Sequence, residues 1–203
     1  MKTASFFDFS DVVTHEIVLE NSSIRLFVRR EDLIHPFVSG NKFRKLRYNL
    51  AEAEKQNFRK LVTFGGAFSN HIAAVAYAGK RLGFETIGII RGEELEEKIH
   101  ENPSLAVAQQ FGMKFFFVSR DTYRLKETPE FIAEMLSRFG DFYVLPEGGT
   151  NGLAIKGCEE ILTESDSEFS YICTSVGTGG TISGIINSAA SHQKIIGFSS
   201  LKG

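Results

Sequence analysis

The segment YICTSVGTGGTISG (171–184) decides the fold class. It reads as a strand, a glycine turn and the start of a helix. The same order recurs at KLVTFGGAFSNH (60–71) and at DFYVLPEGGTNG (141–152). Strands rich in β-branched and aromatic residues, each running into an amphipathic helix, indicate a parallel sheet covered on both faces. In such sheets ligands bind beyond the carboxyl ends of the strands, where glycines let backbone amides crowd an anion at a helix N-terminus.

The flanking chain extends the pattern. HEIVLE (15–20) and IRLFVRR (24–30), separated by NSS, read as two short strands, and a helix is expected over 41–56. Further helices are expected at about 69–82, 103–111, 128–139, 151–163 and 180–190. The strands between them are ETIGIIRG, MKFFFVS, DFYVLP, YICTSVG and KIIGFSS. No internal repeat or low-complexity segment interrupts this order. The pattern stops one helix short, after KIIGFSSLKG, so a chain truncated within a larger domain is expected.

Composition narrows the function classes. The chain has 203 residues, 42% hydrophobic, with 19 phenylalanines and no tryptophan. A net charge of -2 with no basic patch or tail argues against nucleic acid and acidic membrane partners. The N-terminus MKTASFFDFSDVV is broken by Asp8 and Asp11 and does not read as a signal peptide, so a cytoplasmic protein is the default expectation. Cys158 and Cys173 read as small buried hydrophobes, and no spacing of Cys, His and carboxylates indicates a metal site.

No glycine turn fits a common nucleotide motif. Ile182 stands where the dinucleotide fingerprint requires a third glycine, and no G-x-x-x-x-G-K-[ST] occurs. Each turn alone could be a tight strand-to-helix connection without a ligand. The segment VSGNKFRKLRYNL (38–50) adds a second signal. Asn41 reads as a helix N-cap, yet Lys42, Arg44, Lys45 and Arg47 crowd the first turns, where the helix dipole disfavours cations. They are either solvated surface charges or a device that neutralises bound anions. In the second case the dipole and the like charges lower the pKa of Lys42, which suits it to Schiff-base chemistry.

LFVRREDLIHPFVSGNKFRKL (26–46), GGAFSNH (65–71), PEGGTNGLAIKG (146–157) and SVGTGGTISGI (175–185), in this order, resemble fold-type-II pyridoxal-phosphate enzymes. Within them they resemble the 1-aminocyclopropane-1-carboxylate deaminase and D-cysteine desulfhydrase group. The resemblance implies a tryptophan-synthase-β-like α/β fold of two open, mostly parallel sheets covered by helices. Residues 1–44 would begin the larger cofactor domain, 45–147 would form the smaller domain, and 148–203 would continue the larger one. Lys42 would carry pyridoxal 5'-phosphate as a Schiff base and act as the catalytic base. Asn70 would meet the cofactor's ring hydroxyl, and Gly177, Thr178, Gly179, Gly180 and Thr181 would cradle its phosphate. Ser69, Asn70 and His71 would receive the carboxylate of a small amino-acid substrate. The histidine at 71 tilts the resemblance toward the desulfhydrases. A homodimer is the family expectation. The residue facing the pyridine nitrogen and a substrate-side tyrosine would lie beyond Gly203. A non-catalytic binder of the cofactor or of a phosphometabolite is the competing class.

Overall fold

The structure is a computed structural model that describes residues 2–9 and 12–200. In chain order, α1 (Lys2–Phe6) precedes an antiparallel hairpin of β1 (Thr14–Ile17) and β2 (Leu26–Arg29). Then come α2 (Asn41–Lys55), β3 (Lys60–Gly66), α3 (Asn70–Leu82), β4 (Glu85–Arg91), α4 (Pro103–Gln110) and β5 (Lys114–Val118). After these the chain forms α5 (Arg120–Arg124), α6 (Pro129–Phe139), β6 (Tyr143–Leu145), α7 (Gly152–Glu159), β7 (Tyr171–Val176), α8 (Gly180–Ser188) and β8 (Lys194–Ser199).

The central sheet is parallel throughout, in the order β5-β4-β3-β6. Alternate side chains of its strands point to opposite faces and feed two cores. Leu61 and Ile90 pack with Leu46, Leu50, Ile72 and Val75 beneath α2 and α3. Val62, Phe64, Ile87 and Ile89 pack with Phe131 and Met135 beneath α6. The helices begin where side chains can take over the orphan amides of a first turn. Asn102, Thr128 and Asn151 accept from Leu105 N, Phe131 N and Ala154 N at the starts of α4, α6 and α7. α3 ends at Gly83, whose φ of +85° only glycine adopts readily.

In place of a single second sheet, the described residues form two further two-stranded sheets, the antiparallel β1–β2 hairpin and the parallel β7–β8 pair. Arg29 of β2 ties them through Asp166, at 2.6 Å to Oδ2, and Phe27 packs on Phe169 with ring centroids 5.0 Å apart. Both pairs are thinly covered, and Ile24, Tyr171 and Phe198 are all more than half exposed.

Several expectations change. Cys173 is exposed rather than buried, because β7 has one strand beside it and an open face; Cys158, under α8, is buried as expected. The hairpin's first strand covers 14–17 instead of 15–20, and α7 ends at Glu159. Asn41 is not the cap of α2. Gly40 holds that position with φ +61°, and Asn41 is the first helical residue, its side chain turned to other partners. The helix at 2–6, the 3-10 segment at 93–101 and the short α5 were not apparent from periodicity.

Candidate active site

The three glycine turns converge on an open cleft of about 1850 Å³ at the carboxyl end of the sheet. The four cations of α2 divide there. Arg44 is buried and bonds the Glu31 carboxylate at 2.7 and 2.9 Å and the Glu160 carbonyl at 3.0 Å. Arg47 pairs with the Glu160 carboxylate. These two build the fold. Lys42 and Lys45, three residues apart and therefore on one helical face, turn to the cleft instead.

Lys45 is 2% exposed, and among the described residues no carboxylate pairs with it. Its Nζ donates to the Gly148 carbonyl at 3.1 Å, to Thr150 Oγ1 at 2.9 Å and, at the limit, to Thr178 Oγ1 at 3.4 Å. Thr150 and Thr178 are themselves linked at 2.5 Å. One buried ammonium thus joins the 146–152 turn to the 177–180 turn through neutral oxygens alone. Burial lowers its pKa. A buried charge without a counter-charge is expensive unless an anion shares the site.

Gly177, Thr178, Gly179, Gly180 and Thr181 form the turn from β7 into α8. Gly179 is left-handed, at φ +84°. A Cβ on Gly180 would lie 2.9 Å from the Thr150 side chain and 3.2 Å from Lys45 Nζ, so this backbone must stay bare to approach the lysine. Thr181 Oγ1 accepts from Asn41 Nδ2 at 2.8 Å, while Asn41 Oδ1 accepts from Lys42 Nζ at 2.7 Å. Asn41 therefore locks the start of α2 to α8 and aims the Lys42 ammonium. The Lys42 pKa falls to about 8. Burial is the main cause, which the sequence did not suggest, and Lys45, one of the like charges invoked from sequence, is second.

Ser69 precedes α3, and its hydroxyl makes no capping bond. Asn70 is exposed at the first helical position. His71 sits differently from its neighbours. It is 1% exposed, its ring close against Gly149, and its Nε2 lies 2.9 Å from Thr63 Oγ1. Thr63 gives its own proton to the Leu145 carbonyl, so Nε2 is the donor and Nδ1 carries no proton. Nδ1 meets no donor. Burial, then Lys42 and Lys45, push the pKa to about 3. The imidazole is thus a neutral part of the cleft wall. The imidazole assigned to substrate from sequence is instead held against Thr63 and Gly149, and the His71 backbone amide lies in the first turn of α3.

Comparison with known proteins fits this geometry. A family model described as pyridoxal-phosphate dependent enzyme matches residues 12–200. The chain belongs to that family. It is 33% identical over 189 residues to a Thermotoga maritima protein provisionally named 1-aminocyclopropane-1-carboxylate deaminase, covering 88% of this chain and 59% of the relative. It is 32% identical over 177 residues to the Arabidopsis thaliana bifunctional D-cysteine desulfhydrase/1-aminocyclopropane-1-carboxylate deaminase, mitochondrial, covering 79% of this chain and 44% of that protein. A crystal structure of an ACC deaminase homologue superposes with a TM-score of 0.70 at 30% identity, over 86% of this chain and 55% of that one. The chain thus spans roughly half the length of these relatives.

The residues present suit the family's cofactor. A desolvated lysine stands beside a glycine turn at a helix N-terminus, and a buried ammonium there lacks a counter-anion. Asn41 and Thr150 were not assigned to the site from the sequence, and Lys45 entered only as one of four cations that either lie in solvent or neutralise bound anions. The i, i+3 spacing from Lys42 was a usable signal for Lys45. Asn41 and Thr150 had none, since the bonds from Asn41 to Thr181 and from Lys45 to Thr150 each span more than a hundred residues of chain.

Proposed function

We propose that this chain carries the cofactor half of a pyridoxal-phosphate lyase acting on a small amino acid, of the D-cysteine desulfhydrase type. The observation that carries the reading is the pair Lys42 and Lys45: one amine tuned to about 8, the other buried without a carboxylate at the glycine turns. Lys42 would supply the amine that engages the cofactor aldehyde. Gly177–Thr181 and Lys45 would hold its phosphate, and Asn70 its ring hydroxyl. When bound, the cofactor supplies an electron sink for charge developing at Cα.

The remaining chemistry belongs to the chain's own groups. Ser69 Oγ and the first amides of α3 would take the substrate carboxylate, in the field of the helix N-terminus. With a pKa of about 8, Lys42 Nζ is neutral in about a tenth of molecules at pH 7, enough to accept a proton from Cα. In the elimination that proton goes to Lys42 Nζ, and the Cβ–S bond breaks with its electron pair on sulfur. Water then hydrolyses the released enamine acid, so that sulfide, pyruvate and ammonia are the final products. The neutral His71 cannot serve as the acid for the departing sulfur at its wall position.

Ring opening of 1-aminocyclopropane-1-carboxylate is the second reading, favoured by the names of the relatives. That substrate has no Cα proton for Lys42 to remove, which is why the elimination is placed first. The test is kcat/KM of the purified protein for D-cysteine and for the cyclopropane amino acid, with L-cysteine and D-serine as controls. Faster release of sulfide and pyruvate from D-cysteine is expected. A tenfold advantage for the cyclopropane substrate, about 1.4 kcal/mol in the transition state, reverses the order of the two readings.

A further inference from the structure

The segment IHPFVSG (34–40) leads into Lys42 without helix or strand to hold it. A single ring nitrogen does much of the holding. His35 Nδ1 accepts from Phe37 N and from Val38 N, both at 3.0 Å. Gly40 N donates to the Glu31 carbonyl at 2.8 Å, and Pro36 has no amide proton to place. An Nδ1 that accepts twice fixes the Nε2–H tautomer. The ring itself is anchored from three helices. It stacks on Phe43 of α2 with an interplanar angle of 19°, and lies 4.9 Å from the Tyr77 ring of α3 and 5.6 Å from Phe6 of α1.

This anchor stands only a few residues ahead of the candidate cofactor amine. Val38 is fully buried, Gly40 takes φ +61°, and α2 starts immediately with Asn41 and Lys42. The direction of Lys42 is therefore set by how the turn at 37–40 closes, and that turn closes on His35. We infer that His35 is a further positioning residue for Lys42, through its two backbone hydrogen bonds. The functional half of this inference rests on the reading of Lys42 as the cofactor amine; the structural half does not.

The arrangement is sensitive to acid by construction. Protonation places a hydrogen on Nδ1 facing two N–H donors, so both bonds are lost together. The groups facing the ring are Arg81 and Tyr77 from α3, Phe43 from α2, and Phe6 from α1, with Ser5 beside it in the same small hollow. Burial, and after it the Arg81 charge, hold the His35 pKa below its usual value. The turn is therefore closed at neutral pH and opens only below it.

Hydrogen exchange of the 34–42 peptide, corrected for intrinsic rates, tests this in the wild type, His35→Asn and His35→Phe. An asparagine oxygen can accept from the amide two residues on and does not titrate; phenylalanine keeps the stack and removes the acceptor. Wild-type protection should hold above pH 7 and fall progressively as the pH is lowered below it. His35→Asn should stay protected across that range, and His35→Phe should be weakly protected at both ends. Equal protection of His35→Phe and wild type at pH 7, or the same acid loss in His35→Asn, overturns the inference. Borohydride labelling of Lys42 with added pyridoxal phosphate at pH 8 reads the second half. His35→Phe should label several-fold more slowly and His35→Asn close to wild type; equal rates in all three overturn positioning of Lys42. Exchange as expected with no label even in the wild type would support the turn and overturn the cofactor reading instead.

Discussion

Among single residues, the site is defined by groups whose surroundings work against their charge. The folded pKa of Lys42, about 8, lies below its unfolded value, so the unfolded chain binds that proton more tightly. The fold is therefore penalised as pH falls from about 10.5 through 8, and the penalty is complete below 8. Lys42→Met should raise the stability of the cofactor-free protein at pH 7 by on the order of 1–3 kcal/mol, read from urea midpoints, while abolishing turnover. A Lys42→Met protein less stable than wild type would contradict the burial of this amine. His71 follows the same rule. Its folded pKa of about 3 lies below the unfolded value, so stability drops as pH falls from about 6.5 toward 3, by up to about 1.4 kcal/mol per unit. Wild type should lose about 2 kcal/mol between pH 7 and 5 that His71→Gln does not lose. Parallel pH profiles of the two proteins would refute a buried neutral imidazole.

Among the secondary-structure elements, the lysines reach the glycine turns because α2, α7 and α8 pack almost backbone to backbone. A Cβ on Gly157 of α7 would fall 2.1 Å from the Arg44 carbonyl of α2, and one on Gly184 of α8 would fall 2.5 Å from Cys158 Cβ. Gly157→Ala must push α7 off α2, against backbone that cannot rotate away. It should cost about 1–3 kcal/mol in thermal or urea unfolding and weaken cofactor binding with it. Unchanged stability and affinity would mean that this close approach does not set the site. The strand-glycine-helix units were legible in the sequence because periodicity and turn chemistry agreed at each of them. The Gly157 contact was not, since a glycine inside a helical pattern does not reveal which helix it faces. Cys173 was misjudged for a related reason: an apolar strand pattern reports the cover its sheet can accept, not how many strands lie beside it.

Across the molecule, the parallel sheet of four strands is covered on both faces, whereas the β1–β2 and β7–β8 pairs leave apolar side chains in water. Ile24, Tyr171 and Phe198 belong to this open part, which also walls the cleft. The 203-residue polypeptide should bind a hydrophobic dye such as ANS in its native state, and Phe198→Ser should lower the signal. Native protein without dye binding would contradict the exposure of these side chains. Among the described residues no helix is long and apolar enough to cross a membrane. The family was legible because its motifs lie in continuous stretches of chain. The division of the cations was not, because Glu31 and Glu160, which claim Arg44 and Arg47, are assigned only by the fold.

The proposed roles of Lys42 as the cofactor amine and of Lys45 as the buried cation for its phosphate are open to one direct test. It is borohydride reduction in the presence of pyridoxal phosphate, followed by peptide mapping. One stable adduct is expected on Lys42 and none in Lys42→Met. Lys45→Met should need at least tenfold more cofactor for half-labelling, a loss of about 1.4 kcal/mol or more. Labelling spread over surface lysines would contradict the Lys42 assignment, and an adduct on Lys42 that forms equally well in Lys45→Met would contradict the Lys45 assignment.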